Sequence, residues 1–174
     1  GSIQKDENLL DEVTNLVEFP TPIIGRIKEE YLGLPFDVIT TPMKEHLRYF
    51  PVLDDKGRLL PYFVTVRNGD SQYEETVVKG NEKVLGARLE DAKFFYKDDV
   101  SIPLEGYVEK LKTLTFQEKL GTVHDKTNRV MKLTEKIGNY LEVGDETEKN
   151  LQRASFLAKA DLVTKMVTEF TELQ

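Results

Sequence analysis

The chain has 174 residues, 39% apolar and 32% charged, with a formal net charge of −7 and no cysteine. That length supports one domain or two small ones, the composition suits a folded protein, and a disulfide framework or thiolate metal site is excluded. No apolar run approaches the roughly 20 residues that span a bilayer, no secretory signal pattern opens the chain, and the acidic balance argues against coating nucleic acid by bulk charge; a cytoplasmic protein is expected.

Residues 8–18, NLLDEVTNLVE, read as a short helix. FPTPIIG closes it, since two prolines and a glycine punctuate the chain. RIKEEYLGLP adds a helical turn or two, and FDVITT, rich in β-branched residues, reads as a strand. Thr41 and Pro42 make a helix start, hydroxyl at the N-cap and proline in the first turn, for MKEHLRYF. DDKG then turns the chain between YFPVL and RLLPYFVTV, a hairpin. Pro51 and Pro61 interrupt its ladder, so the arms belong at an edge or carry bulges. Residues 1–105 are therefore expected to form a mixed α+β module.

After Asn81, read as an N-cap, helices are expected. EKVLGARLEDAKFFYKDD places Leu85, Leu89, Ala92 and Tyr96 on one face, and Pro103 breaks the run. LEGYVEKLKTL and HDKTNRVMKLTEKIGNYL follow. In the latter Asp125 caps, and Val130, Leu133, Ile137 and Tyr140 are the expected buried stripe. EVGDETEKN connects to a last helix from about Leu151, with Leu162, Val163, Met166, Val167, Phe170 and Leu173 on one face. Lys165 is expected to pair with Asp161 or Glu169 along its wet side. No Gly, Asn or Pro closes this helix, so residues 106–174 are expected to be an incomplete helical region whose last apolar face awaits further chain. The leading Gly-Ser pair is expected to be foreign to the natural sequence.

Chemistry-bearing patterns are few. VVKGNEKVLG lacks the glycine placement of a phosphate-binding loop. The two histidines, His46 and His124, sit in no triad pattern. His46 reads as a helix-surface or packing residue, and His124–Asp125 as a helix N-terminus. Tyr49, Phe50, Phe94, Phe95 and Tyr96 lie among basic residues and could stack on unpaired bases, though filling a core is the simpler reading. One block is clearly basic: residues 108–136 sum to +3. Lys112, Lys119, Lys126, Arg129, Lys132 and Lys136 are thus the candidates for phosphate contact. Asp125 stands one turn from Arg129, so that guanidinium is expected to be partly engaged internally.

TTPMKEHLRYFPV, GNEKVLGARLEDAKFFYKDD, LTFQEKLGTVHDKTNRV and LAKADLVTKMVTEFTELQ resemble, in order and spacing, segments of the bacterial glycyl-tRNA synthetase beta subunit family. The resemblance runs from about Leu9 to the end. It implies an interior piece of a longer subunit in an enzyme of two alpha and two beta subunits. ATP and Mg would be used by the alpha subunit to activate glycine, and beta would support binding of tRNA(Gly) and transfer. The expected partners are thus the alpha subunit and tRNA(Gly), with no membrane and no DNA, and this chain is expected to hold no cofactor or catalytic site. Residues 1–105 resemble, more weakly, the editing-type module of the phenylalanyl-tRNA synthetase beta subunit. Residues 106–174 resemble the start of a degenerate metal-phosphohydrolase domain of the His-Asp (HD) type. Lys126 falls where active members place a first histidine, and Ala158 and Lys159 where they place the doublet; lysine and alanine do not replace those ligands, although Asp161 lies nearby. The fold class expected is α+β with a degenerate HD-like second region. An active phosphohydrolase and an amino-acid editing module remain the alternatives.

Overall fold

The computed structural model describes residues 1–174, and the chain divides into two compact units, essentially residues 1–96 and 97–172. The first combines a sheet with helices, and the second is mostly helical, so the chain is α+β as expected.

In the first unit, strands β1 (Ser2–Ile3), β2 (Pro20–Arg26), β3 (Phe50–Leu53) and β4 (Leu59–Asn68) form an antiparallel sheet in the order β1-β3-β4-β2. The DDKG turn joins β3 to β4 as expected. The Asp54 carboxylate accepts from the Lys56 and Arg58 amides, both at 2.9 Å. The two arms lie inside the sheet, not at its edges. Their prolines are accommodated by a slip in the ladder: Pro51 pairs with Phe63 and Leu53 with Leu59, leaving Pro61 in the longer stretch of β4.

The stretch expected to be helix-ending punctuation is instead β2, paired with β4 from Pro20 to Arg26. Its prolines are tolerated because β2 is an edge strand. The Gly69 amide donates to the Phe19 carbonyl and the Ile27 amide to the Pro61 carbonyl, so odd residues bond toward β4 and even residues face outward. Pro20 and Pro22 have no N–H to offer, and the Arg26 amide donates to Glu82 Oε1 at 2.8 Å. Ile24 alone presents an open donor, which blunts the edge against pairing.

Helices cover both faces of this sheet. Asp6 caps helix α1 (Glu7–Leu16), accepting from the Leu9 amide at 3.1 Å, and binds Lys44 at 2.5 Å. Leu9 and Val13 pack on Phe50 and Val64. The other face buries Tyr31, Ile39, Met43, Tyr49 and Phe63 with Leu85 and Leu89 of helix α3 (Glu74–Asp99). Tyr49 and Phe63 stack with centroids 4.7 Å apart, and Phe63 lies over Gly25 in the space a Cβ would occupy. The Tyr31 hydroxyl donates to Glu90 at 2.6 Å. Burial first, then that carboxylate, raises the phenol well above its ordinary value.

Local expectations fail where packing overrides propensity. FDVITT is helix α2 (Phe36–Thr41), because a helix buries Val38, Ile39 and Thr40 together. The helical cost of β-branched residues, a few tenths of a kcal/mol each, is small beside that burial. Thr41 has helical torsions and caps nothing. Pro42–His46 forms one π turn, and Arg48 at φ 56° swings the chain into β3. RIKEEYLGLP contributes only a 3-10 turn, Glu29–Gly33. Helix α3 begins seven residues before Asn81, which lies inside it. Of its expected face Leu85, Leu89 and Ala92 are fully buried, while Tyr96 is half-buried.

In the second unit, helix α4 (Glu105–Val108) tightens into a 3-10 segment, Glu109–Thr113. A small hairpin that was not anticipated follows, β5 (Thr115–Gln117) and β6 (Gly121–Thr122), then helices α5 (Val123–Tyr140) and α6 (Asp145–Leu157). Tyr107, Val108, Leu111, Val123 and Ala160 form the core. Gly138 lets Glu148 of α6 lie against α5, filling the place of a Cβ.

The helix expected from about Leu151 begins earlier, as α6, inside the expected connection, and past Leu157 it is broken into a 3-10 turn (Ala160–Val163), helix α7 (Lys165–Glu169) and a final 3-10 turn (Thr171–Leu173). Two caps favour the break. Thr164 accepts from the Val167 amide at 3.3 Å. The Asp99 carboxylate accepts from the Lys165 and Met166 amides at 3.0 and 2.7 Å. Lys165 reaches Asp98 at 3.0 Å instead of following a single helical ladder. Met166 and Phe170 are buried, so this apolar face is largely covered already. The opposite error occurs on α5. Val130, Leu133, Ile137 and Tyr140 are all exposed, because α5 packs through Val123, Thr127 and Gly138.

Candidate nucleic-acid interface

The basic block folds into the 3-10 segment, the β5–β6 hairpin and α5. A capping box fixes where α5 begins. Thr122 Oγ1 accepts from the Asp125 amide at 3.2 Å, and Asp125 Oδ2 accepts from the Thr122 amide at 2.8 Å. Thr122 is therefore the cap, and Asp125, the expected cap, is its reciprocal partner one turn in. These bonds from Thr122, main chain first, hold the Asp125 carboxyl below its ordinary value.

The six candidate residues divide by what holds them. Lys112 is paired with Glu109 at 2.5 Å. Lys119 sits at the hairpin turn, where its amide donates to Gln117 at 2.7 Å. Lys126 places its ammonium 4.2 Å from the centroid of the Phe116 ring. Arg129 is engaged internally, although its Nη1 donates to the Leu120 carbonyl at 2.9 Å and ties the hairpin to α5, in place of an Asp125 pair. Lys132 and Lys136 line a shallow depression with Arg129 and Leu133. The structure thus brings Arg129, Lys132 and Lys136 into one row and sets Lys112 and Lys119 apart on other elements.

The positions resembling metal ligands do not converge. His124 Nδ1 lies 3.2 Å from the Asn128 amide and its Nε2 3.7 Å from Glu109. Asp125 serves the capping box. Ala158 and Lys159 form the end of α6, and Asp161 lies in the 3-10 turn after it. No three histidine, aspartate or glutamate side chains are grouped as a metal site would require. His46 lies in the π turn, half-buried.

Sequence reasoning missed the contribution of Phe116 and Leu120, both exposed on the hairpin. Alternating residues around a glycine, TFQEKLGT, were the available signal.

Comparison of the sequence with known proteins shows the family to which the chain belongs. A family model described as glycyl-tRNA synthetase beta subunit matches residues 1–174. The chain is 52% identical over 174 residues to the glycine–tRNA ligase beta subunit of Desulfitobacterium hafniense and 55% identical over 174 residues to that of Clostridioides difficile. It is 51% identical over 173 residues to that of Bacillus subtilis. These matches cover 99–100% of the chain but only 25–26% of each relative, so the chain spans about a quarter of their length. The chain belongs to the glycyl-tRNA synthetase beta subunit family.

Proposed function

We propose that this chain is a segment of the beta subunit of a cytoplasmic glycine–tRNA ligase, supporting tRNA(Gly) binding and assembly with the alpha subunit. ATP and Mg are used by the alpha subunit to activate glycine, and this segment contributes no catalytic group. The family match over the whole chain supports the assignment. The observation that carries RNA contact is the row of Arg129, Lys132 and Lys136 along α5, in a chain whose net charge is −7. None of the three is paired with a carboxylate, Arg129 being held by the Leu120 carbonyl, so their charge is available to phosphate. Lys112 and Lys119 are secondary contacts, and Lys126 acts beside the Phe116 ring.

The test uses the complete enzyme. Lys132→Glu with Lys136→Glu should raise the Michaelis constant for tRNA several-fold and lower its salt dependence by about one contact per lysine. Glycine-dependent ATP–pyrophosphate exchange should not change. An unaltered Michaelis constant at moderate salt would place the contact elsewhere.

A further inference from the structure

The face of α5 beside the basic row is apolar and uncovered. Val130, Leu133, Ile137, Tyr140 and Leu141 are 39, 58, 49, 86 and 63% exposed. At about 100° per residue they occupy one band about 100° wide, and Arg129, Lys132 and Lys136 form a second band along its flank. Phe116, 42% exposed under the Lys126 ammonium, extends the apolar band at its N-terminal end. From Lys126 to Tyr140 the paired bands run about 21 Å.

We propose that this double band takes an unpaired stretch of RNA, with phosphates on Arg129, Lys132 and Lys136 and splayed bases packed on Leu133, Ile137 and Tyr140. The inference rests on the phosphate-contact reading above and narrows it to a class of RNA. A duplex presents riboses and phosphates and keeps its bases stacked inside, so it would meet the lysines and leave the apolar band wet. Unpaired nucleotides offer both chemistries at the required adjacency: a charged backbone and, to its side, flat apolar faces. A second copy of this chain fits worse. Antiparallel pairing of two α5 helices about their apolar bands sets each basic row against its own copy, where like charges repel.

The test measures fluorescence anisotropy of an unstructured oligouridylate and of an RNA duplex of equal length with the purified chain, at low and moderate salt. The oligouridylate should bind at least about fivefold more tightly than the duplex, the equivalent of one packed base. Leu133→Ser with Ile137→Ser and Tyr140→Ser should abolish that preference with the salt dependence intact. Leu133 and Ile137 are about half exposed and Tyr140 almost wholly so, so the thermal melt should fall by only a few degrees with the fold retained. Lys132→Glu with Lys136→Glu should weaken both RNAs and flatten the salt dependence. Equal binding of both RNAs, lost on lysine reversal, would overturn the unpaired-RNA proposal while sparing phosphate contact. A preference that survives the serine variant would also overturn it and leave the band as a face for another polypeptide segment. Binding of neither RNA at low salt would overturn both.

Discussion

Asp99 gives the sharpest test of how the second unit is held together. Its carboxylate accepts from two amides at the start of α7, and the Tyr107 hydroxyl donates to its side chain at 3.2 Å and to its carbonyl at 3.1 Å. Tyr107 is a buried member of the core. Asp99→Ala leaves the Lys165 and Met166 amides without this acceptor, while Thr164 still caps Val167 and the Asp99 carbonyl still receives Tyr107. A lost cap at the exposed Lys165 amide costs about 1 kcal/mol, and a charged acceptor withdrawn from the part-buried Met166 amide somewhat more. The sum is about 2–4 kcal/mol, or roughly 5–12 °C in melting temperature for a chain of this size. Asp99→Asn keeps one acceptor oxygen and should cost about half as much. Circular dichroism follows the melt, and hydrogen exchange reads the Met166 amide directly. A melting temperature lowered by less than about 2 °C in the alanine variant, with Met166 exchange unchanged, would refute Asp99 as the cap of α7.

Phe63→Ala should destabilise the first unit by about 3–5 kcal/mol, since it empties the site stacked on Tyr49 and lying over Gly25, and urea denaturation should show the lowered midpoint. Pro20→Thr with Pro22→Thr restores two outward donors to β2. Light scattering should then show concentration-dependent association, and an unchanged monomer would argue that the edge is covered otherwise. The Asp125 carboxyl is depressed by its bonds to Thr122, so its contribution to α5 is present above the unfolded value of about 3.9 and is lost as pH falls through the lower folded value. Protection of the amides at the start of α5, taken relative to their intrinsic exchange rates, should fall on acidification to that range in the native chain; Asp125→Asn should remove this pH dependence, whereas Thr122→Ala, which keeps the main-chain donor, should remove only the smaller part of it.

Much of the architecture is legible in local chemistry. The first helix, the DDKG turn, the hairpin that follows it, the face of Leu85, Leu89 and Ala92, and the basic block all follow from rules spanning a few residues. Those are spacing, turn-forming side chains and charge, which act between neighbours in sequence. The family resemblance, too, rests on collinear segments alone. Which partner a residue finds is different, because that is decided across the fold. PTPIIG is a strand only because β4 offers a ladder on one side and the prolines face the open edge. FDVITT is a helix because the core needs Ile39 beside Met43 and Phe63. The final helix breaks because Asp99, more than sixty residues upstream, supplies acceptors at its start. On α5, periodicity marks Val130, Leu133, Ile137 and Tyr140 as one face without saying whether that face is inside. Packing through Thr127 and Gly138 turns it outward, beside the lysines, since a helix can bury only the side its neighbours reach.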